Sequence, residues 1–170
     1  MNYHDIKKCD MLNGDGIRVS LWVAGCEHHC YQCQNPQTWG INGGVAFDKD
    51  AEEELLEALN KDYISGITFT GGDPLHENNL EDVLNLVNKI HFSFGHDKTI
   101  WMYSGFTWEE VWEKENRLRK DIISKCDVFV DGTYEDELRD VTLKWCGSSN
   151  QRIIDVQQSI KDNQIRLYTR

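Results

Sequence analysis

Short strand-like segments alternate with amphipathic helical segments along most of this 170-residue chain, and that alternation strongly limits its possible folds. The predicted strands share β-branched or aromatic residues bounded by turn residues, and they lie at 17–23, 66–70, 98–103 and 127–130. The predicted helices share apolar positions at helical spacing, and they lie at 50–60, 79–90 and 107–120. Strands that alternate with helices in this way favour parallel βαβ units.

The length of the chain limits which α/β fold these units can build. A complete eight-stranded β/α barrel typically takes ~250 residues and rarely fewer than roughly 200. We therefore expect an α/β fold with a mostly parallel sheet, as an open, partial barrel or a short wound sheet. No repeat or Pro-rich linker divides residues 1–170, which predicts a single domain. After Asp131 only 152–156 and 165–168 suggest strands, which either complete the sheet or fold back as a flap.

Two of the predicted helices begin with capping signals. Asp50 is the expected N-cap of the first, with Glu53 three residues later. Thr107 and Glu110 have the spacing of a capping box at the start of the third. Glu110 is also spaced to pair with Lys114 on a solvated helix face.

Charge and hydropathy narrow the functional class. The formal net charge is -11 with no stripe of Lys and Arg, so we expect no nucleic-acid ligand. No apolar run approaches the ~20 residues of a membrane span, and the N-terminus lacks the apolar region of a signal peptide. We therefore expect a cytoplasmic protein with no membrane partner. In a reducing cytosol, closely spaced cysteines are more often metal ligands or catalytic groups than disulfide partners.

Three of the six cysteines, Cys26, Cys30 and Cys33, lie within eight residues directly after the first predicted strand. A structural zinc site requires four ligands, and here His28 or His29 would have to supply the fourth. A cubane iron–sulfur cluster is normally held by four thiolates. If only three hold it, one iron keeps an open coordination position, as catalytic metals do. An open iron implies a substrate bound to the cluster.

The segment Gly71-Gly72-Asp73-Pro74 follows the second predicted strand. Paired glycines let a ligand approach the backbone closely, and the carbonyls there could accept hydrogen bonds from an ammonium group. Asp73 is near enough in sequence to contribute, and Pro74 removes a donor and fixes the turn. The same four residues are also an ordinary turn, so the motif alone does not identify a site.

Four loops follow the carboxyl ends of predicted parallel strands, where α/β folds carry their active sites. They contain Gly25-Cys26, Gly71-Gly72-Asp73, Ser104-Gly105 and Asp131-Gly132. We expect these loops to face one common site.

The pattern C-x3-C-x2-C, followed downstream by Gly-Gly-Asp-Pro, resembles the radical S-adenosylmethionine (radical SAM) superfamily. Within it, residues 13–39 are similar to the N-terminal part of the activating proteins of anaerobic ribonucleoside-triphosphate reductases. Residues 127–138 and 147–155 are similar to the C-terminal signatures of that family. The similarity covers nearly the whole chain.

The resemblance implies a set of cofactor contacts. One [4Fe-4S] cluster would be held by Cys26, Cys30 and Cys33, which are the implied catalytic and metal-binding residues. Its fourth iron would be chelated by the amino and carboxylate groups of SAM. The backbone of 71–74 would receive the SAM amino group, and the segment 32–34 would lie against its adenine side. The implied SAM-binding residues are Gln32, Cys33, Gln34, Gly71, Gly72, Asp73, Pro74 and Asp131.

The resemblance also implies the reaction. The reduced cluster would pass one electron to SAM, and a 5'-deoxyadenosyl radical would take a hydrogen from a glycine Cα of the partner reductase, leaving a glycyl radical. A flavodoxin- or ferredoxin-type donor would supply the electron, at the low end of the about -700 to +450 mV that iron–sulfur clusters span. A barrel open at one side would admit the partner's loop.

Alternatives remain open. The chain could activate another glycyl-radical enzyme of the formate-lyase type, or act as another small radical SAM enzyme on a small molecule. A non-enzymatic interaction module would instead bind zinc through the three cysteines and a histidine.

Several other residues have simpler interpretations. Isolated cysteines usually act as small hydrophobes, so Cys9, Cys126 and Cys146 are expected to be buried or half-buried thiols. His28 and His29 are expected to be solvated loop residues. Arg18 is expected either to neutralise the cysteine loop, to pair with SAM or to form a surface ion pair.

Overall fold

A seven-stranded β-sheet forms the centre of the structure, a computed structural model that describes residues 1–113 and 116–169. The strands are Asn2–Asp10 (β1), Arg18–Val23 (β2), Val45–Ala46 (β3), Gly66–Gly71 (β4), Thr99–Tyr103 (β5), Val128–Asp131 (β6) and Arg152–Asp155 (β7). Their order across the sheet is β3-β1-β2-β4-β5-β6-β7. β2, β4, β5 and β6 run parallel, and β1, β3 and β7 pair antiparallel at the edges. The predicted α/β class is confirmed, with a parallel centre in a mixed sheet.

All five α-helices of the described chain contribute to one face of the sheet. They are Lys49–Leu59 (α1), Leu80–Phe94 (α2), Trp108–Glu113 (α3), Arg117–Ser124 (α4) and Val156–Asp162 (α5). Their buried apolar side chains pack with alternate strand residues such as Leu21, Phe69 and Met102 in one continuous core. Because side chains alternate across a strand, the intervening residues point to the opposite face.

That opposite face carries polar, aromatic and, on β6, aliphatic side chains, and we call it the pocket face. Its side chains are Ser20, Trp22, Thr68, Thr70, Trp101, Tyr103, Val128 and Val130. Trp101, Val128 and Val130 form a small second core with Trp145 and Tyr168. The helices of a doubly wound fold would cover this face, whereas here irregular C-terminal residues contact it.

The residues after Asp131 both extend the sheet and fold back over it, the two alternatives that the sequence left open. β7 pairs antiparallel with β6, so it extends the sheet, and Ile154 forms a single bridge with Leu167 in place of the strand expected at 165–168. Residues 133–151 instead cross the pocket face. The Tyr103 hydroxyl donates a 2.7 Å hydrogen bond to the Trp145 carbonyl and fixes this segment to β5.

Two helix boundaries differ from the sequence prediction. The N-cap of α1 is Asp48, whose side chain accepts from the Ala51 amide, so the prediction of Asp50 was wrong by two residues. The stretch 107–120 forms two helices, because Asn116 begins α4 by accepting from the Arg119 amide. The expected pair between Glu110 and Lys114 lies outside the described residues.

The capping box is confirmed at the start of α3. The Thr107 amide donates to the Glu110 carboxylate at 3.0 Å, and the Glu110 amide donates to the Thr107 hydroxyl at 3.3 Å. These reciprocal bonds satisfy two of the amides that a helix start leaves without partners.

β1 and β3 were not predicted from the sequence. β1 is largely polar, and only Ile6 and Asp10 along it are buried, so its pattern lacks a clear alternation. The longest helix in the described ranges has 15 residues, and no helix there is long and apolar enough to cross a bilayer.

Candidate metal centre

The cysteine loop begins directly after β2 and is closed at its base by two backbone hydrogen bonds. The Gly25 amide donates to the Thr38 carbonyl at 2.8 Å, and the Cys26 amide donates to the Trp39 carbonyl at 3.1 Å. Gly25 has a φ of +98°, a conformation that side chains rarely adopt, and it turns the chain out of the strand. The local sequence therefore folds residues 26–37 into a loop with fixed ends.

One backbone amide of this loop donates to a cysteine sulfur. The Asn35 amide donates to Cys33 Sγ at 3.3 Å. Nearby backbone groups of His28 and Tyr134 favour the thiolate forms of Cys26 and Cys30, respectively, and so oppose the rise in their pKa values. Hydrogen bonds to sulfur tune iron–sulfur clusters. This backbone environment therefore fits a bound, negatively charged sulfur centre.

Burial favours the protonated thiol at Cys26 and at Cys30 in the free chain. It raises the pKa of Cys26 to about 11 and also raises the pKa of Cys30, against the opposing effect of the backbone hydrogen bonds. Nucleophilic and redox-active cysteines have lowered pKa values instead. A metal displaces the thiol proton when it binds, so these thiols suit ligation better than nucleophilic catalysis.

The three cysteines line one cavity of about 460 Å³ at the carboxyl ends of β2, β4 and β5. The predicted residues that also line it are Gln34, Gly71, Gly72, Asp73, Ser104, Gly105 and Gly132. The four predicted strand-end loops therefore do face one space. A larger hollow of about 780 Å³ lies between α1 and α2, and its lining contains none of the predicted site residues.

Gly71 and Gly72 are required by the packing of the β4 loop against the cysteine loop. A Cβ on Gly72 would lie 2.5 Å from the Gly25 carbonyl oxygen, and a Cβ on Gly71 would lie 2.8 Å from the Trp22 backbone. The Asp73 amide donates to the Gly25 carbonyl at 2.6 Å. Among the described residues no donor reaches the Gly72 carbonyl, which leaves that oxygen available to a ligand.

The Asp73 carboxylate is fully engaged inside the protein. It is 1% exposed and accepts from the Leu75 amide at 2.8 Å, the Ser104 hydroxyl at 2.9 Å, the Gly105 amide at 3.1 Å and His28 Nε2 at 2.7 Å. An ionised carboxylate has about four acceptor positions, so these four donors use its capacity. Its role in this structure is to connect three loops.

The Asp131 carboxylate lies beside the cavity rather than in its lining. It is 1% exposed, accepts from the Trp108 amide at 2.7 Å and forms an ion pair with Arg152. Arg152 also bonds Glu109 through two nitrogens, and these contacts raise the pKa of Arg152 and lower that of Glu109. The neighbouring backbone of Gly132 takes the position in the cavity wall.

Gln32 and Pro74 also lie outside the cavity lining. Gln32 is exposed and has a φ of +57°, a conformation that helps the loop return toward Cys33. Pro74 is buried in the turn that follows Asp73. Within the segment 32–34, Cys33 and Gln34 line the cavity.

Three of the simpler interpretations require correction. His28 is not solvated, because its side chain is 13% exposed, bonds Asp73 and packs edge-on against Phe106. Burial alone would lower the pKa of His28, but the hydrogen bond and the charge of Asp73 raise it overall. Cys9 is exposed, whereas Cys126 is buried and Cys146 half-buried as expected.

Arg18 is the third correction. It lies at the start of β2, at the opposite end of the strand from Cys26, and is 1% exposed. Its five N–H donors bond the side chains of Thr68 and Thr99 and the backbone carbonyls of Asp15, Ile67 and Thr99. Burial lowers its pKa to about 10. Arg18 therefore stabilises the interior of the sheet, and it is neither a SAM ligand nor a surface ion pair.

Sequence reasoning missed part of the cavity wall. The unpredicted lining residues include Lys7, Trp22, Trp39, Thr70, Tyr103 and Trp145, with Cys146 beside them. The Lys7 ammonium lies 4.0 Å from the centre of the Trp22 ring. These residues come from distant segments, and only the pairing of β1 with β2 and the C-terminal crossing bring them together. The alternation of β2 and β5 was the signal that could have identified Trp22 and Tyr103.

The three cysteines that line the cavity are the residue type that holds iron–sulfur clusters. Within the described ranges, no three His, Cys, Asp or Glu side chains are grouped to hold one metal ion. His28, a possible fourth zinc ligand, already bonds Asp73. A [4Fe-4S] cubane binds its cysteines through separate irons, so thiols spread around one cavity suit it.

Comparison with known proteins supports an iron–sulfur centre. Residues 12–154 match the family model described as "4Fe-4S single cluster domain". The chain is 41% identical over 153 residues to a protein of Enterobacteria phage T4, covering 90% of this chain and 93% of that protein. It is 39% identical to an Escherichia coli (strain K12) protein and 37% identical to a Vibrio cholerae protein, covering 96% and 97% of them and 89% and 90% of this chain. All three carry the name "Anaerobic ribonucleoside-triphosphate reductase-activating protein".

Proposed function

The chain belongs to the family of anaerobic ribonucleoside-triphosphate reductase-activating proteins, and from this we propose that it is a radical SAM enzyme that generates the glycyl radical of such a reductase. The observation that carries the proposal is one cavity that contains the three cysteines and the Gly71-Gly72 backbone. A cluster with an open iron would be held by the cysteines, and the aminocarboxylate bound to that iron would contact the glycine backbone. The two groups therefore have to lie side by side.

The chain's own residues supply binding and orientation in this proposal. Cys26, Cys30 and Cys33 would hold a [4Fe-4S] cluster, and the Asn35 amide that donates to Cys33 Sγ would stabilise its charge. The carbonyls at Gly71 and Gly72 receive the amino group of SAM, while the Asp73 carboxylate is occupied by the protein. Gln34 and Gly132 line the same cavity and are proposed contacts for the rest of SAM.

When bound, the cluster and SAM supply one-electron cleavage of the sulfonium bond and a radical that removes a hydrogen atom. The protein has to hold the reacting atoms in place and limit access of water. Trp22, Tyr103 and Trp145 form apolar surface beside the cysteines, and the segment 133–151 covers part of the cavity. We infer that the domain spans residues 1–170 as an open, partial radical SAM barrel.

The proposed substrate is a glycine in a folded partner, so the cavity has to be reached from outside. In the described part of the chain the order of strands ends at β3 and β7, and no closed ring of strands surrounds the cavity. A flavodoxin- or ferredoxin-type protein is the proposed electron donor, because cleavage of SAM requires a cluster of low potential.

Formation of a glycyl radical tests the proposal directly. The chain, reconstituted anaerobically with iron and sulfide, is mixed with SAM, a low-potential reductant and an anaerobic ribonucleoside-triphosphate reductase. We expect a glycyl-radical resonance on the reductase and 5'-deoxyadenosine in solution. Cys30→Ala is expected to abolish both, whereas Cys9→Ala changes an exposed thiol outside the cavity and is expected to retain both.

Two results would contradict the proposal. One is a cluster-loaded chain that forms no radical on the reductase. The other is a radical formed only on a formate-lyase-type enzyme, which would assign the chain a different partner.

A further inference from the structure

His28 and Asp73 form a contact between the cysteine loop and two other strand-end loops. His28 Nε2 donates a hydrogen bond to the Asp73 carboxylate at 2.7 Å. Asp73 follows β4, and the same carboxylate accepts from Ser104 and Gly105, which follow β5. One buried carboxylate therefore connects the cysteine loop, the Gly71-Gly72 loop and the β5 loop.

The His28 ring is held on its other sides as well. It packs edge-on against Phe106 with ring centres 4.6 Å apart, and a Cβ on Gly105 would lie only 2.3 Å from its Cδ2. The Arg119 guanidinium lies 3.7 Å from the centre of the Phe106 ring and bonds Glu27, the residue before His28. The ring thus has one position that satisfies both its polar and its apolar neighbours.

A second contact joins the same two loops, through a side chain that bonds a backbone carbonyl of each. The Asn79 side-chain amide is 2% exposed and donates to the carbonyls of Ala24 at 2.9 Å and Asp73 at 3.0 Å. This bond fixes the base of the cysteine loop, whereas His28 fixes its middle, between Cys26 and Cys30. Without His28, residues 27–33 would keep their ends, the Glu27–Arg119 pair and the contact of His29 with Trp39, but would lose their bond to Asp73.

We propose that the His28–Asp73 pair is a clamp that sets the position of the cysteine-held cluster relative to the Gly71-Gly72 backbone. This inference rests on the proposed function, since it gives the clamp the task of matching the open iron to the bound SAM. His28 is then a positioning residue, because it acts through the cysteine loop and not on the cofactor. Asp73 has the same role, and its position in the Gly-Gly-Asp-Pro segment is explained by its hydrogen bonds to three loops.

Three substitutions separate the clamp from general folding. His28→Leu removes the donor and keeps an apolar side chain against Phe106. His28→Gln places an amide donor near the original Nε2, so it tests rescue. Tyr31→Leu is the matched control, because Tyr31 lies in the same loop and is 76% exposed.

The first measurement is hydrogen–deuterium exchange on the chain without cofactors. The amides of Gly105 and Leu75 donate to Asp73, and His28 connects residues 27–33 to the same carboxylate. We expect faster exchange at these positions in His28→Leu, near wild-type exchange in His28→Gln and no change in Tyr31→Leu. Equal exchange in His28→Leu and the wild type would overturn the clamp, whatever the cofactor proves to be.

The second measurement is the SAM concentration that half-shifts the electron paramagnetic resonance of the reduced, reconstituted protein. Loss of a hydrogen bond to a charged group corresponds to roughly tenfold or more in an equilibrium constant, so we expect His28→Leu to need about ten times more SAM at equal iron and sulfide content. His28→Gln should recover most of the difference. A wild-type SAM response in fully loaded His28→Leu would overturn the positioning role.

The two proposals fail in different ways. A wild-type cluster that ignores SAM would contradict the proposed function, and the clamp would then be decided by the exchange measurement alone. If His28→Leu cannot retain iron while Tyr31→Leu can, the pair holds the cluster itself, and the assigned role in SAM alignment is wrong.

Discussion

Asp10 is a buried carboxylate that organises the loop before β2. It is 6% exposed and accepts from the Leu12 amide at 2.8 Å, the Asn13 side chain at 2.7 Å and the Ser20 hydroxyl at 2.7 Å. Burial raises the pKa of Asp10, but these hydrogen bonds outweigh that effect and lower it below 3.8. The folded state therefore prefers the ionised form.

We predict that Asp10→Asn lowers the free energy of unfolding at pH 7 by about 2 kcal/mol, since hydrogen bonds to a charged group are lost. A lowered pKa in the folded state gives stability that is present above the unfolded value and is lost as the pH falls through the folded value. The difference between the wild type and Asp10→Asn should hold at pH 7 and shrink below pH 3.8.

Urea denaturation at several pH values measures this difference. Asp5→Asn is the control, because Asp5 lies on the same strand and is exposed. An Asp10→Asn effect that is the same at pH 3 and pH 7 would show that the charge of Asp10 contributes nothing.

At the level of residues, the sequence is most informative where spacing carries the chemistry. The spacing of Cys26, Cys30 and Cys33 marked them as candidate metal ligands, the family resemblance assigned them to a cluster, and all three line the cavity. The prediction for His28 was wrong, because nothing in the sequence indicates that Asp73, 45 positions later, accepts a hydrogen bond from it. Such contacts depend on how distant loops pack in the folded chain, and the local sequence pattern does not predict them.

The approach of the β4 loop to the cysteine loop depends on Gly72. Its φ is not in the left-handed region, so the requirement for glycine comes from contact and not from strain. A Cβ there would meet the Gly25 carbonyl at 2.5 Å and the Thr38 carbonyl at 3.0 Å. Both neighbours are backbone atoms that cannot rotate away.

We predict that Gly72→Ala destabilises the chain by about 1–3 kcal/mol through overpacking and weakens SAM binding by separating the loops. Gly40→Ala is the matched control, because a Cβ on Gly40 meets nothing within 4 Å, and its effect should stay within about 0.5 kcal/mol. Urea denaturation of the two variants measures the difference. Equal stabilities would contradict the packing account of Gly72.

Elements with strong periodicity were predictable, whereas the edge strand β1 and the break between α3 and α4 at Asn116 were not. The strands β2, β4, β5 and β6 agree with the sequence prediction, because each is an apolar run bounded by turn residues. β1 is polar and joins the sheet through its pairing with β2. The break at Asn116 depends on a side-chain hydrogen bond that competes with a continuous helix.

At the scale of the whole molecule, the two faces of the sheet differ: one packs against the helices and the other faces the cavity. One face is apolar and covered by the described helices, and the other carries Thr70, Tyr103 and Trp22 toward the cavity. The length of the chain predicts an open sheet, but not that residues 133–151 would cross the pocket face. That crossing has no periodic pattern, and one hydrogen bond from Tyr103 to the Trp145 carbonyl helps to fix it.

The central claim is a cluster held by three thiolates with one iron left for SAM. Electron paramagnetic resonance of the anaerobically reconstituted, reduced protein tests it most directly, with and without SAM. The account predicts a reduced [4Fe-4S] signal that shifts when SAM is added, as one iron exchanges its ligand. A zinc-containing protein without iron, or a cluster signal that SAM leaves unchanged, would contradict it.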